Sequence, residues 1–309
     1  MKKQLLITAA LFLPLALHAE PAAPAPVPAA PAEKAAAEKE KKEEYIRVEE
    51  KDGKATALQT AVVRLTKGDA TLELVGAIHI ADKKYYEALN KRFEGYDALL
   101  WEGIGGDKPA AAAAPPAAKD AAAPDKGVEP KKKKPERLSG LHHAYESAAK
   151  FLDLAYQMGE IDYTKPNFVH ADLSMEEFSD LQEQRGESIF KFMLKAGLSA
   201  EANGSAKEPS TMKLLTSLLK GDKIGLKREL VHTLGAGDDQ VAALAGDSVI
   251  ITDRNAKCLE VLAREVKAGR KKLGIFYGAA HFPDMVKHLA EAGWTVNGSE
   301  WMTAWELGN

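Results

Sequence analysis

β-Branched and other apolar residues dominate two neighbouring runs, Ala57 to Thr66 and Thr71 to Val75, separated by Lys67-Gly68-Asp69. That pattern predicts two strands joined by a turn. Apolar positions at helical spacing follow from Lys83 to Phe93, and then a continuous run from Asp97 to Trp101 predicts a buried strand that ends in Glu102-Gly103. From Leu138 to about Leu244 the spacing is helical, with breaks at Pro166, at Asn203-Gly204 and at Gly221. A further helix is predicted over Arg254 to Lys267 and a strand over Leu273 to Tyr277. A helix over Met285 to Ala292 and a closing pair of short strands around Asn297-Gly298 complete the chain. Strands that alternate with helices predict an α/β domain with a mostly parallel or mixed central sheet.

Within this pattern one phrase occurs twice. Gly76-Ala77-Ile78-His79-Ile80-Ala81-Asp82 and Gly278-Ala279-Ala280-His281-Phe282-Pro283-Asp284 both read G-A-x-H-apolar-x-D, each after an apolar run and before a helical segment. With 24 Gly and 8 His in 309 residues, G-x-x-H is expected by chance about 0.6 times. Three instances occur, and the third, Gly140 to His143, has no strand before it. The matched pair therefore reads as two strands, each delivering a histidine at its carboxyl end, where α/β folds place ligands.

The repeat extends further. Aligning Gly95-Tyr96 with Gly293-Trp294 sets Glu102 opposite Glu300. The expected architecture is two β-G-A-x-H-α-β-Glu units with a helical insertion between them, Glu300 being the weaker member because Asn297-Gly298 interrupts its strand. If the strands bearing His79, Glu102 and His281 are neighbours, two imidazoles and a carboxylate converge on one rim. That is a three-ligand set for a divalent cation with a position left for water. Zinc suits it, and manganese, cobalt or iron share such ligands.

Other polar residues are weighed against plainer uses. Asp82 and Asp284 precede helices and are expected as N-caps. Arg254, at a helix start, is a candidate oxyanion donor, its competing use being a salt bridge to Asp253 or another acid. His170 and Asp172 form a pair before a helix and are expected in core or capping roles. Asp172 and Glu300 are also the candidates for a general base if Glu102 is bound to metal. His142 and His143 are expected to face solvent. Cys258, the only cysteine, excludes an intrachain disulfide and is expected as a buried, inert thiol. No G-x-S-x-G, H-E-x-x-H, phosphate-binding glycine loop or paired C-x-x-C is present.

Composition frames this domain. Residues 1–19 have a basic start, a 13-residue apolar stretch (Leu5 to Leu17) and a small residue at Ala19: a secretory signal peptide, too short for a comfortable bilayer span. Residues 20–44 are Pro/Ala-rich and then Lys/Glu-rich, a linker. Residues 107–137 repeat that composition as a low-complexity insert with Lys131 to Lys134. What remains between 45 and 309 is roughly 235 residues, one domain. The net charge of −3 points to neither nucleic acid nor an anionic membrane. The expected protein is exported, periplasmic or secreted, with no transmembrane segment after cleavage.

These residues resemble the TraB/GumN family, which includes the TIKI metalloproteases and lies near the ChaN and erythromycin-esterase-like proteins. The resemblance rests on Gly76-Ala77-Ile78-His79 with Tyr85-Tyr86-Glu87-Ala88-Leu89 following, on Trp101-Glu102, on Thr252-Asp253-Arg254-Asn255 and on Gly278-Ala279-Ala280-His281 before Phe282-Pro283. It implies an α/β domain whose site holds His79, His281 and Glu102, with Arg254 as a further site residue. In the TIKI branch it implies divalent-metal-dependent cleavage of a peptide or protein substrate. The chain departs from the family in the insert after Gly103 and in Asp284, where relatives often have glycine. A non-catalytic binder of a peptide, haem or metal in the same crevice is the alternative.

Overall fold

A computed structural model describes residues 44–106, 136–187, 210–231 and 248–308. The segment expected as a signal peptide, nearly all of the expected linker and nearly all of the expected insert lie outside the described residues. A mixed sheet organises the rest. Its strands are β1 (Ile46–Lys51), β2 (Lys54–Lys67), β3 (Ala70–Ala77), β5 (Ala98–Trp101), β7 (Phe168–His170), β8 (Lys272–Gly278) and β9 (Thr295–Glu306). Their order is β1-β2-β3-β8-β5-β7, with β9 also on β2. A small second ladder pairs β4 (Ile80–Ala81) with β6 (Ala155–Tyr156).

Strands β3, β8, β5 and β7 are mutually parallel. The two histidine-bearing strands are immediate neighbours, Ala77 opposite Gly278, and Trp101 lies beside both Phe276 and His170. All four strands thus end on one edge. Both faces are covered, as parallel strands require. On one face Val75, Leu99, Trp101 and Phe276 pack with Tyr85, Leu89 and Phe93 of α1 (Lys83–Phe93). On the other, Leu74, Leu100, Ile275 and Tyr277 pack with Cys258 and Leu262 of α6 (Arg254–Lys267) and Met285 and Leu289 of α7 (Phe282–Glu291). Each such side chain, fully buried, contributes about 1.5–3 kcal/mol before entropy is counted.

The stretch expected to be helical from Leu138 to about Leu244 holds α2 (Glu136–Leu152), α3 (Gln157–Glu160), α4 (Met175–Arg185) and α5 (Thr211–Lys220), with helical residues again at 223–231. It is not helical throughout: it also supplies β6 and β7, and β7 joins the main sheet beside β5. Helix α2 begins inside the range assigned to the insert by composition. A π-helical turn at Val249–Asp253 leads into α6, and a 3-10 turn at Ala279–His281 leads into α7. Among the described residues no helix is long and apolar enough to cross a membrane.

Three further expectations are corrected. Asn297-Gly298 does not turn a hairpin. Gly298 adopts φ +132° within the single 12-residue strand β9, where the register with β2 shifts beside it, so the signal marks a bulge. In consequence the second repeat's last strand runs antiparallel on β2 instead of joining the parallel rim. Strand β1 was not expected, although Asp52 (φ +52°) and Gly53 (φ +73°) form the Asp-Gly turn that pairs it with β2.

Candidate functional site

The parallel edge gathers four of the predicted residues and adds several others. Glu102 follows β5 directly, Gly278 closes β8, and Asp172 stands two residues beyond β7. Arg254 opens α6 on one face of the sheet. Its guanidinium clamps Asp172 through two bonds, Nε to Oδ1 at 3.0 Å and Nη2 to Oδ2 at 2.6 Å. Nη2 also donates to Glu102 Oε1 at 2.7 Å. Glu102 Oε2 accepts the Gly278 N–H at 2.7 Å, and Asp172 accepts the N–H groups of Gly103 and Leu173. Thus β5, β7, β8 and α6 are laced together by charge-assisted bonds at the strand ends.

His281 ends the 3-10 turn, buried at 4% exposure. Its Nδ1 lies 2.6 Å from Asn255 Oδ1. Asn255 Nδ2 already donates to His281 O and to Asp284 Oδ2, so Oδ1 is the acceptor and His281 Nδ1 carries the hydrogen. Nε2 is left with its lone pair, 3.7 Å from Glu102 Oε1 and 3.4 Å from Arg254 Nη1.

His79 reaches the same edge from the opposite face. The equal motifs diverge here, because β3 continues through the β4–β6 ladder where β8 breaks into a 3-10 turn. His79 is exposed as a residue, while its ring is crowded by protein as a group lining a crevice is. It packs against Tyr145 at 4.7 Å between ring centroids and shares the electrostatic field of Glu102 and Arg254. The α1 tyrosines brace its strand, Tyr85 donating to Gly76 O at 2.7 Å and Tyr86 to Ile78 O at 2.8 Å.

Charge states follow. Burial opposes the Glu102 charge, but Arg254 foremost, with the Gly278 N–H, holds its pKa down to about 2. Burial pushes His281 down to about 4 against the pull of Glu102. Burial also lowers His79. Burial opposes the Arg254 charge too, but the two carboxylates raise its pKa above the ordinary value. At neutral pH the edge therefore holds two carboxylates, one guanidinium and two neutral imidazoles.

This arrangement suits a divalent cation in part. His281 Nε2 offers a lone pair, Glu102 is ionised, His79 is neutral and accessible, and two carboxylates against one guanidinium leave an excess negative charge. Against this, Arg254 stands at Glu102 Oε1 and His281 Nε2. Among the described residues no group of three or more His, Cys, Asp or Glu side chains is assembled to hold an ion. The donor chemistry fits; the guanidinium closes the arrangement.

Several predicted roles change. Both Arg254 Nη2 hydrogens and Nε–H are engaged, and Nη1 faces Ile250 O and His281 at 3.4 Å. Arg254 is therefore a clamp for Glu102, not a free oxyanion donor, and Asp253 pairs with Arg185 instead. Asp172 cannot serve as a base, because it is buried and both its oxygens are bonded. Glu300, on β9, is held by Arg64 of β2 and Arg92 of α1 and makes none of these contacts. Asp82 sits at the α1 N-cap position without capping, and accepts the Glu306 N–H while pairing with Lys227. Asp284 lies within the first turn of α7, tied to Asn255 and His288. His170 contacts Gly103 O at 2.6 Å, Cys258 is buried with its thiol pKa pushed up by burial, and His142 and His143 are exposed.

Sequence reasoning gave no role to Asn255 or Gln157, and it offered Asp172 as a general base and not as the partner of Arg254. Phe168-Val169-His170-Ala171-Asp172 does have the apolar-then-polar ending of a rim strand, but three residues are too few to show a period. No protein-family model, curated protein or solved structure matches this chain.

Proposed function

We propose that this edge is the active site of an exported, divalent-metal-dependent hydrolase that cleaves peptide bonds. The observation that carries the reading is the meeting of Glu102, His281 and Arg254 at the ends of parallel strands, with His79 presented to solvent beside them. His79, His281 and Glu102 would hold the cation (zinc, manganese or cobalt). Bound there, it would acidify a water and polarise a scissile carbonyl. Arg254, itself fixed by Asp172, keeps Glu102 ionised and oriented. Asn255 keeps the Nε2 lone pair of His281 directed at the edge. His79 is the group a substrate meets first. The TraB/GumN resemblance supports this reading, and the N-terminal pattern supports action in the periplasm or outside the cell.

The test is elemental analysis of untagged protein together with cleavage of a peptide library. We expect bound divalent metal and turnover, with His79→Ala and His281→Ala each losing tight metal binding while keeping the fold. If both variants retain metal like the parent, the ligand set is wrong.

One observation favours a second reading. Glu102 and Arg254 already satisfy one another, which leaves His79 as the exposed polar group of the cluster. A non-catalytic binder of a peptide, haem or metal would need little more. A Soret band on haem addition, without peptide turnover, would establish that alternative.

A further inference from the structure

Each motif histidine has a side-chain amide beside it, and the two partners are placed alike. Asn255 meets His281 twice: Nδ2 donates to the backbone carbonyl at 3.0 Å, and Oδ1 takes the ring Nδ1–H at 2.6 Å. Gln157 stands against His79 in a comparable way, though it meets the carbonyl through its backbone N–H and forms no bond yet at the ring. The β4–β6 ladder sets Ile80 opposite Tyr156, so the next position in register sets His79 opposite Gln157. There the Gln157 N–H donates to His79 O at 2.9 Å. The amide is held by Nε2 donating to Tyr163 Oη at 2.8 Å. Gln157 is 6% exposed, and its Oε1 is buried without a well-formed hydrogen bond, next to the His79 ring.

A buried amide oxygen left without a partner is unfavourable, because it has given up its hydrogen bonds to water. A donor able to relieve it is a ring N–H of His79, whose ring neighbours the Gln157 side chain. We propose that Gln157, steadied by Tyr163, is the positioning residue for His79. Its Oε1 takes one ring N–H, fixes the tautomer and leaves the other ring nitrogen with a lone pair for chemistry at the edge. Asn255 does this for His281, so a histidine on each face of the sheet is aimed by an amide. The consequence for turnover rests on the hydrolase reading; the placement of the hydrogen does not.

The experiment is imidazole ¹⁵N NMR of the chelator-treated chain, with His79→Asn to assign the signal. The parent should show His79 in one neutral tautomer. Gln157→Met, similar in size, should give a mixture for His79 while His281 and the backbone amide spectrum stay unchanged. Gln157→Glu, which can only accept, should restore the parent tautomer. An unchanged His79 in Gln157→Met overturns the proposal, as does the opposite tautomer in Gln157→Glu, since Gln157 would then be the donor. Metal affinity of Gln157→Met should fall about 10- to 100-fold, the usual effect of losing such a partner. A parent that shows the expected tautomers but neither binds metal nor cleaves peptide leaves Gln157 in its role and removes the hydrolase reading instead.

Discussion

Glu102 and His281 are 3.7 Å apart and differ in charge at neutral pH because the same burial acts on them with different company. Burial alone would make both neutral. Arg254 reverses that for Glu102, whose pKa falls from 4.5 to about 2, and leaves His281 neutral, its pKa falling from 6.5 to about 4. Both are depressed on folding, so in the metal-free protein both make the fold more stable as pH rises. The His281 contribution is complete above about pH 6.5 and is lost as pH falls through about 4. The Glu102 contribution is complete above about pH 4.5 and is lost as pH falls through about 2. Each amounts to something on the order of 3 kcal/mol, and the two are coupled, so they do not add. Urea unfolding from pH 7 to 2 checks this. A His281→Gln chain should lose less stability than the parent between pH 6.5 and 4, and equal slopes would refute the assignment.

At the scale of the element, the two motif glycines have different work to do. A methyl group on Gly76 would stand 3.2 Å from Ala61 O and 3.3 Å from Thr60 Cβ, both on β2. That strand is held by β3 on one edge and β9 on the other, so it cannot give way cheaply. On Gly278 the methyl would meet Glu102 Oε2 at 3.5 Å, an ordinary contact, and φ is −53°. Gly76→Ala should therefore cost about 1–3 kcal/mol, whereas Gly278→Ala should stay within about 0.5 kcal/mol of the parent. Thermal melts of the two variants decide the matter. The G-A-x-H phrase was legible as two strand ends, but this difference was not. It depends on what passes beside each glycine: the β2 backbone beside Gly76, the Glu102 carboxylate beside Gly278.

Across the whole molecule, the sheet is built from segments far apart in sequence. Strand β8 enters between β3 and β5, with α1 on one face and α6 on the other. Residues 107–135 lie between Gly106 and the start of α2, and their composition offers little apolar surface for burial. Replacing them with a short Gly/Ser linker should shift the melting temperature by no more than a few degrees, since loop closure changes slowly with length. A drop of ten degrees or more would show that the segment contributes to the domain's core.

The hydrophobic pattern by itself determined β2, β3, β5, α1, α6 and the α/β class, because periodicity and turn residues act within a few positions of one another. It also placed His79, His281 and Glu102 at strand ends, since a polar residue that closes an apolar run marks where the strand stops. Only the tertiary structure decided their company. Asp172 became the anchor of Arg254 because β7 pairs with β5, and Glu300 was lost to the site because β9 pairs with β2. Gln157 came to face His79 through a two-residue ladder too short to leave a pattern. The charge of each group followed from that company, because burial and neighbouring charges depend on distances in space that spacing along the chain does not encode.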